Sequence, residues 1–285
     1  MDFKAICQHV AEMDINLYGL AVYKDGQIYE QRMQPCNICN NAYSVTKAFM
    51  VTAIGMLHDD GLIDVKRNLS AYMADLMPED IDPAWKLVTV EHALTHRIGF
   101  DEGFLDIDTE DASQYPTRDF LDMVFHHPLK HLPGQHYQYS DAAYYLISRL
   151  ISRVSGQRAD TLLKHRMMEP MKFREAAWSR CPQDYPIGAT GLYLPTGDMV
   201  KLPALYLEGG MWNGQRIISE EWVNKVIANE YEFISKTPSG LIGKGGMYGQ
   251  MTMFNREKKF AVAWHGFNTD GEKVQSLVEY FDHLF

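Results

Sequence analysis

The stretch NNAYSVTKAFMVTAIGMLHDDG, residues 40–61, places a serine where an apolar helix begins. Apolar residues recur at helical spacing from about residue 46 to 60, which predicts a helix starting near Ser44. Lys47 follows three residues later, so both side chains lie on one helix face, a turn apart. Taken alone, S-x-x-K is typical of a helix-capping serine and a solvent-exposed lysine. The rest of the chain decides between a cap and a nucleophile.

Strand-like sequences lie near both ends of the chain. INLYGLAVYKDGQIYEQRM (15–33) alternates apolar and polar residues around Lys24-Asp25-Gly26, which predicts a hairpin. GGMYGQMTMFNREKKFAVAWHGF (245–267) predicts two further strands, and the sequence from 271 to 285 predicts a closing amphipathic helix. These patterns favour one antiparallel sheet built from both chain termini and flanked by helices.

The middle of the chain has mostly helical periodicity, in residues 46–60, 90–96, 117–127 and 141–156. The predicted fold class is therefore α/β (α+β), with an inserted all-α subdomain. We place the α/β subdomain at residues 1–60 and 175–285 and the α-helical subdomain at 61–174. An active site is expected in the cleft between them, because ligand sites tend to form at such junctions.

Charge and composition exclude several classes of protein. The chain has 27 Lys+Arg against 37 Asp+Glu and no basic stripe, so we expect no nucleic-acid partner. No apolar run is long enough for a membrane span, and the N-terminus lacks the pattern of a signal peptide, which favours a cytoplasmic protein. Cys36 and Cys39 have C-x-x-C spacing without a second ligand pair, so free thiols are expected. The acidic stretch 101–115 is interpreted as a solvated loop, ahead of a cation site.

Two further segments carry residues suited to acyl-transfer chemistry. In PGQHYQYSDAAYY (133–145), Tyr139 and Asp141 lie one residue apart just before a helix, and a tyrosine near ammonium groups can act as general base and acid. In GLIGKGGMYG (240–249), Lys244 offers a cation to a substrate carboxylate. Gly245 and Gly246 let a ligand approach the strand backbone. The N–H groups of Ser44 and Met247 are the expected oxyanion-hole donors.

Two other enzyme classes fit the sequence less well. His92 and His96 have i, i+4 spacing, and four more histidines lie between 126 and 136, but Ala93 replaces the glutamate that a zinc-peptidase helix requires. No G-x-S-x-G motif of an α/β-hydrolase occurs. His265, in AVAWHGF, is a second candidate for the third motif. We favour Lys244, because the sequence from Lys244 onward supplies the motif, its strand, a turn and the next strand in that order.

The order of these motifs resembles the serine β-lactamase and penicillin-binding protein superfamily. Within it, the class C β-lactamase-like branch of DD-peptidases, D-aminopeptidases and esterases is the most similar. Ser44-Val45-Thr46-Lys47 matches S-x-x-K, Tyr139-Ser140-Asp141 matches Y-x-N, and Lys244-Gly245-Gly246 matches K-T-G. Connecting stretches, such as VTVEHALTHRIGF (88–100), are also similar, and the resemblance runs from about residue 16 to 285.

This resemblance implies a serine hydrolase that forms an acyl-enzyme and needs no metal or organic cofactor. Ser44 would be the nucleophile, and Lys47 and Tyr139 the proton-transfer pair. The implied substrate-binding residues are Asp141, Lys244, Gly245, Gly246 and Met247. The implied substrate is a small ester, amide or peptide. Alternatives are a β-lactamase or DD-carboxypeptidase proper, and a non-catalytic ligand-binding or sensor protein.

Two departures from the family pattern bear on specificity. Asp141 replaces an asparagine, and a carboxylate cannot donate a hydrogen bond to a substrate carbonyl. Gly245 replaces the hydroxyl residue of K-T-G, which removes a donor to a substrate carboxylate. Both changes predict weak activity on β-lactams.

Overall fold

The structure is a computed structural model and describes residues 1–284. The chain divides into two compact units, one of residues 1–48, 171–177 and 192–285 and the other of 49–170 and 178–191. The first division falls inside a helix, earlier than the boundary placed at residue 60 from the sequence, and residues 178–191 group with the helical unit.

The first unit contains nearly all of the strands. They are β1 Leu17–Lys24, β2 Gln27–Arg32, β3 Asn40–Asn41, β4 Ala177–Trp178, β5 Leu192–Leu194, β6 Met211–Trp212, β7 Gln215–Arg216, β8 Ser235–Lys236, β9 Leu241–Gly246, β10 Gln250–Asn255 and β11 Phe260–Gly266. A six-stranded sheet has the order β2-β1-β11-β10-β9-β8, and each neighbouring pair of strands in it is antiparallel. Strands from the two ends of the chain therefore meet at β1 and β11, as the sequence predicted.

Eleven helices of the described chain are α1 Phe3–Glu12, α2 Thr46–Asp59, α3 Ser70–Met73, α4 Val90–Leu94, α5 Phe120–His126, α6 Asp141–Ser155, α7 Ala159–Leu163, α8 Thr196–Met199, α9 Lys201–Leu207, α10 Glu220–Asn229 and α11 Gly271–Leu284. In the β1–β2 hairpin, Asp25 and Gly26 both have positive φ, as a tight two-residue turn requires. Among residues 1–284, no helix combines the length and hydrophobicity of a membrane span.

The two faces of the six-stranded sheet differ in chemistry. One face, which we call the apolar face, packs against α1 and α11 through a cluster that includes Val10, Val22, Met253, Trp264 and Phe281. The opposite face, which we call the polar face, packs against α8 and α9. Because side chains alternate along a strand, the polar face receives the polar side chains of Lys244, Gln250, Thr252 and His265, all of which are buried.

In the second unit, helix α6 is the central element. Its residues from Asp141 to Ser152 are all buried, and α3, α4, α5 and α7 pack around it. The helix ends at Gly156, whose φ of 72° lies in the left-handed region that favours glycine at a helix end. Trp85 anchors the packing by donating from Nε1 to the carbonyl oxygen of Phe125 at 2.9 Å.

Candidate active site

Ser44 and Lys47 are in direct contact. Ser44 lies in a 3₁₀ turn, Tyr43–Val45, that leads straight into α2. Lys47 Nζ is 3.0 Å from Ser44 Oγ, and the Lys47 side chain is fully buried. At this distance the amine can reach the serine proton, as the activation of a serine nucleophile by a neighbouring base requires. The first motif therefore has the geometry of a nucleophile with its amine neighbour.

The turn that carries Ser44 is held on both sides. The Ala42 N–H donates to the Leu192 carbonyl oxygen at 2.8 Å, and the Leu192 N–H donates to Thr46 Oγ1 at 3.3 Å. The Tyr43 N–H donates to Asn41 Oδ1 at 2.9 Å. Tyr43 itself has a φ of 46°, a conformation that is strained for a bulky residue and that the surrounding contacts must maintain.

The third motif lies against this turn. A Cβ atom added to Gly246 would stand 2.6 Å from the carbonyl oxygen of Ala42, so only glycine allows this approach. Just beyond, Tyr248 has a φ of 60°, and its ring packs edge-on against that of Tyr43 with centroids 5.2 Å apart. Ser44 and Met247, whose N–H groups are the predicted oxyanion donors, therefore lie on segments in mutual contact.

His265 is placed elsewhere. It lies on β11, which β10 separates from β9, and its Nδ1 is 2.9 Å from Thr196 Oγ1 on α8. Burial lowers the pKa of His265 to about 3, so the ring is neutral. Since β9 rather than β11 reaches the Ser44 turn, the geometry favours Lys244-Gly245-Gly246 as the third motif.

Lys244 is not presented to solvent as a free cation. Its ammonium group pairs with Glu232, and the two side chains are 4% and 1% exposed. Glu232 was not among the site residues predicted from the sequence. The only local signal in the sequence is that Glu232 stands between two aromatic residues, Tyr231 and Phe233. Both are fully buried in the structure.

The second motif belongs to the helical unit. Tyr139 is partly buried, and its ring packs on that of His96 with centroids 4.4 Å apart. The Ser140 N–H donates to His96 Nδ1 at 3.2 Å, and the Gln138 N–H donates to the His96 carbonyl oxygen at 2.9 Å. His96 thus holds the backbone on both sides of Tyr139. The sequence had suggested His96 only as a candidate metal ligand, so this positioning role was not predicted.

Asp141 begins α6 and lies within an acidic group. Single carboxylate oxygens of Asp106, Asp108 and Asp141 all lie within 4.8 Å of one another. Asp106 and Asp108 come from the acidic stretch 101–115, so the fold brings that stretch to the second motif. Among residues 1–284 this is the one group with metal-ligand spacing. His92 and His96 do not belong to it, and the His92 Nδ1 instead accepts the Thr89 N–H at 3.2 Å.

The family follows from comparison with known proteins. Residues 4–275 match the sequence model of the beta-lactamase family. The chain belongs to the beta-lactamase family. This assignment confirms the superfamily resemblance that the three motifs indicated.

Individual relatives of this beta-lactamase family member are distant. A 6-aminohexanoate-dimer hydrolase of Paenarthrobacter ureafaciens is 24% identical over 65% of this chain, which spans only half of that protein's length. Among solved structures, a penicillin-binding protein homologue of Caulobacter crescentus has a TM-score of 0.74 at 17% identity, with 99% of this chain and 98% of that one covered. A D-stereospecific amidohydrolase of Streptomyces has a TM-score of 0.69 at 16% identity, with coverage of 97% and 98%. The structural matches confirm the predicted fold.

Proposed function

We propose that this protein is a serine hydrolase that cleaves small esters or amides through an acyl-enzyme on Ser44. The observation that carries the proposal is the 3.0 Å contact between Lys47 Nζ and Ser44 Oγ, at a turn against which β9 packs with Gly246. The names of the relatives, a 6-aminohexanoate-dimer hydrolase and a D-stereospecific amidohydrolase among them, agree with this reaction class.

In the proposed reaction, Ser44 Oγ attacks the carbonyl carbon of the substrate while its proton passes to Lys47 or Tyr139. The N–H groups of Ser44 and Met247 stabilise the negative charge on the tetrahedral oxygen. Collapse of this intermediate expels the alcohol or amine, which takes up the proton. Water then attacks the acyl carbonyl and gives up a proton to the same base. Collapse of this second intermediate releases the carboxylic acid and returns a proton to Ser44 Oγ. Tyr139 and Asp141 receive their roles from the motif resemblance.

The test is covalent labelling followed by intact-mass measurement. A fluorophosphonate probe and a panel of esters, amides and β-lactams are expected to add mass to the wild type and not to Ser44→Ala. Ser276→Ala is the matched control, because Ser276 is an exposed serine on α11 and its loss should leave labelling intact. Failure of every probe to label the wild type would refute a serine hydrolase and favour a ligand-binding role.

Substrate class is tested by comparing turnover of a short-chain 4-nitrophenyl ester, nitrocefin and a D-alanyl-D-alanine peptide. We expect the ester to be turned over fastest, since Asp141 cannot donate to a substrate carbonyl and Gly245 offers no hydroxyl. Faster turnover of nitrocefin would contradict this interpretation of both residues.

A further inference from the structure

The third motif contains its own counter-ion. Lys244 and Glu232 form an ion pair in which both side chains are almost completely buried. They lie twelve positions apart in the sequence, and β8 and β9 close this loop by pairing Ser235 with Gly243. Burying two charges is costly unless they satisfy each other. The lysine that the sequence assigns to a substrate carboxylate is thus already engaged by a carboxylate of the protein.

Glu232 is held in place by its neighbours. Its φ of 63° lies in the left-handed region, which is unfavourable for a glutamate. On one side the ring of Tyr231 packs on Trp222, with centroids 5.9 Å apart, and on the other the ring of Phe233 packs on Tyr206 at 4.4 Å. Such backbone strain persists only where the surrounding structure enforces it. The buried aromatic anchors on both sides fix the direction of the Glu232 carboxylate.

The pair lies on the side of β9 that faces the nucleophile. Lys244 and Gly246 are two residues apart on a strand, so their side-chain directions share a face, and Gly246 stands against Ala42, two residues before Ser44. A lone lysine here would attract an anion. Paired with Glu232 it has no net charge, and the field of the pair falls off faster with distance than that of a single charge.

We propose that Glu232 is a specificity-determining residue that neutralises Lys244 and thereby selects substrates whose leaving group carries no carboxylate. The inference rests on the proposed function and defines its substrate class: neutral esters and amides. A carboxylate-bearing leaving group at this strand meets a lysine already paired with Glu232 and must lose its own hydration without compensation. Glu232 acts through Lys244 and is therefore a positioning residue.

The test compares two chromogenic esters that differ by one charge, 4-nitrophenyl butyrate and 3-carboxy-4-nitrophenyl butyrate. The wild type should favour the neutral ester in kcat/KM, and preference for the carboxylate-bearing ester would overturn the proposal without any variant. In Glu232→Gln, the ratio of the two kcat/KM values should shift towards the carboxylate-bearing ester by about tenfold or more, because that substrate now supplies the missing counter-charge.

Three variants separate this electrostatic role from a structural one. Glu232→Asp keeps the charge and should keep the wild-type ratio. The double variant Glu232→Gln with Lys244→Gln lacks the cation and should lose the shift. Glu230→Gln is the matched control, because Glu230 also has a positive φ but pairs with Lys236 at the surface; its ratio should not change. An equal loss on both esters in Glu232→Gln would overturn the proposal.

Ser44→Ala is measured in parallel with both esters. If its turnover equals that of the wild type, the proposed function fails, whatever the ratio. If turnover depends on Ser44 while Glu232→Gln leaves the ratio unchanged, only the role of Glu232 fails.

Discussion

The two faces of the six-stranded sheet are built from the same strands and serve different purposes. The apolar face buries Val22, Met253 and Trp264 against α1 and α11, so it contributes the transfer free energy that stabilises the unit. The polar face buries Lys244, Thr252 and His265 instead, and groups of this kind cost free energy unless they find partners. The candidate site lies on the face where burial is least favourable.

The backbone shows a second division, between the strands of the sheet and the turns at the candidate site. Beside the turn of Ser44, both Tyr43 and Tyr248 have positive φ, and Glu232 does as well. No residue of the sheet strands β1, β9, β10 and β11 has a positive φ among the described residues. The strained residues thus lie in the turns around the candidate site, and the packing of the apolar face can be perturbed separately from them.

The largest effect on stability is expected from Phe281→Ala on the apolar face. Phe281 is fully buried, and its ring stacks on Trp264 with centroids 5.8 Å apart. Truncation leaves a cavity, so the free energy of unfolding should fall by about 3–5 kcal/mol. Chemical denaturation measures this loss. At temperatures where the variant is folded, kcat/KM on a neutral ester should match the wild type; a large drop there would show that the faces are not independent.

Gly246→Ala should damage activity more than stability. The new methyl group would stand 2.6 Å from the Ala42 carbonyl oxygen, and the turn carrying Ser44 must shift to relieve the clash. Because misplacement of a reacting group by about 1 Å can cost about 100-fold in rate, kcat/KM on a neutral ester should fall by up to about that factor.

The neighbouring glycine sharpens this test. At Gly245 an added Cβ would lie 3.3 Å from Met251 Cε, a flexible atom of the apolar face, so Gly245→Ala should cost less activity. Gly271→Ala, at a position where the added atom meets nothing within 4 Å, is the silent control. Equal losses in the two β9 variants would contradict the assignment of Gly246 to the Ser44 side.

The apolar face was predictable from sequence, whereas much of the polar face was not. Alternation in β1, the Asp25-Gly26 turn and the periodicity of α11 are local signals, and each gave the correct element. The S-x-x-K spacing likewise fixes the contact of Lys47 with Ser44, because helix geometry sets the distance between residues three apart.

Other features of the site depend on long-range packing. The sequence predicted a regular helix start at Ser44, but the structure has a 3₁₀ turn that begins at the strained Tyr43. No propensity predicts that conformation, since contacts with Leu192 and Tyr248 impose it. Glu232 was missed for the same reason: a glutamate is normally exposed, and only its partner Lys244 explains its burial.

His265 makes the polar face sensitive to pH. Burial lowers its pKa in the folded protein to about 3, from an ordinary value of 6.5. The unfolded chain therefore binds a proton that the folded protein rejects. Its contribution to stability is fully present above pH 6.5 and is lost as the pH falls towards 3, by about 1.4 kcal/mol per pH unit.

Denaturation of wild type and His265→Gln at several pH values isolates the contribution of His265 to the pH dependence of stability. As the pH is lowered below 6.5, the wild type should lose unfolding free energy steadily relative to His265→Gln, because glutamine does not titrate. The carboxylates titrate in both proteins and cancel in the comparison. A difference that stays constant between pH 6.5 and 4 would show that the ring accepts a proton in the folded state.

The smallest effect is expected from Thr252→Val on the polar face. Thr252 pairs with Lys244 across β10 and β9, and its buried Oγ1 has no hydrogen-bond partner among residues 1–284. Valine has nearly the same shape without the hydroxyl, so the variant should be more stable by about 1 kcal/mol, with unchanged kcat/KM on a neutral ester. A gain would show that the face carrying the candidate site keeps a polar group at the expense of stability. A loss of stability would instead show that the Thr252 hydroxyl is hydrogen-bonded in solution. Burial of this polar side chain would then stabilise the fold, as burial of the apolar side chains does on the other face.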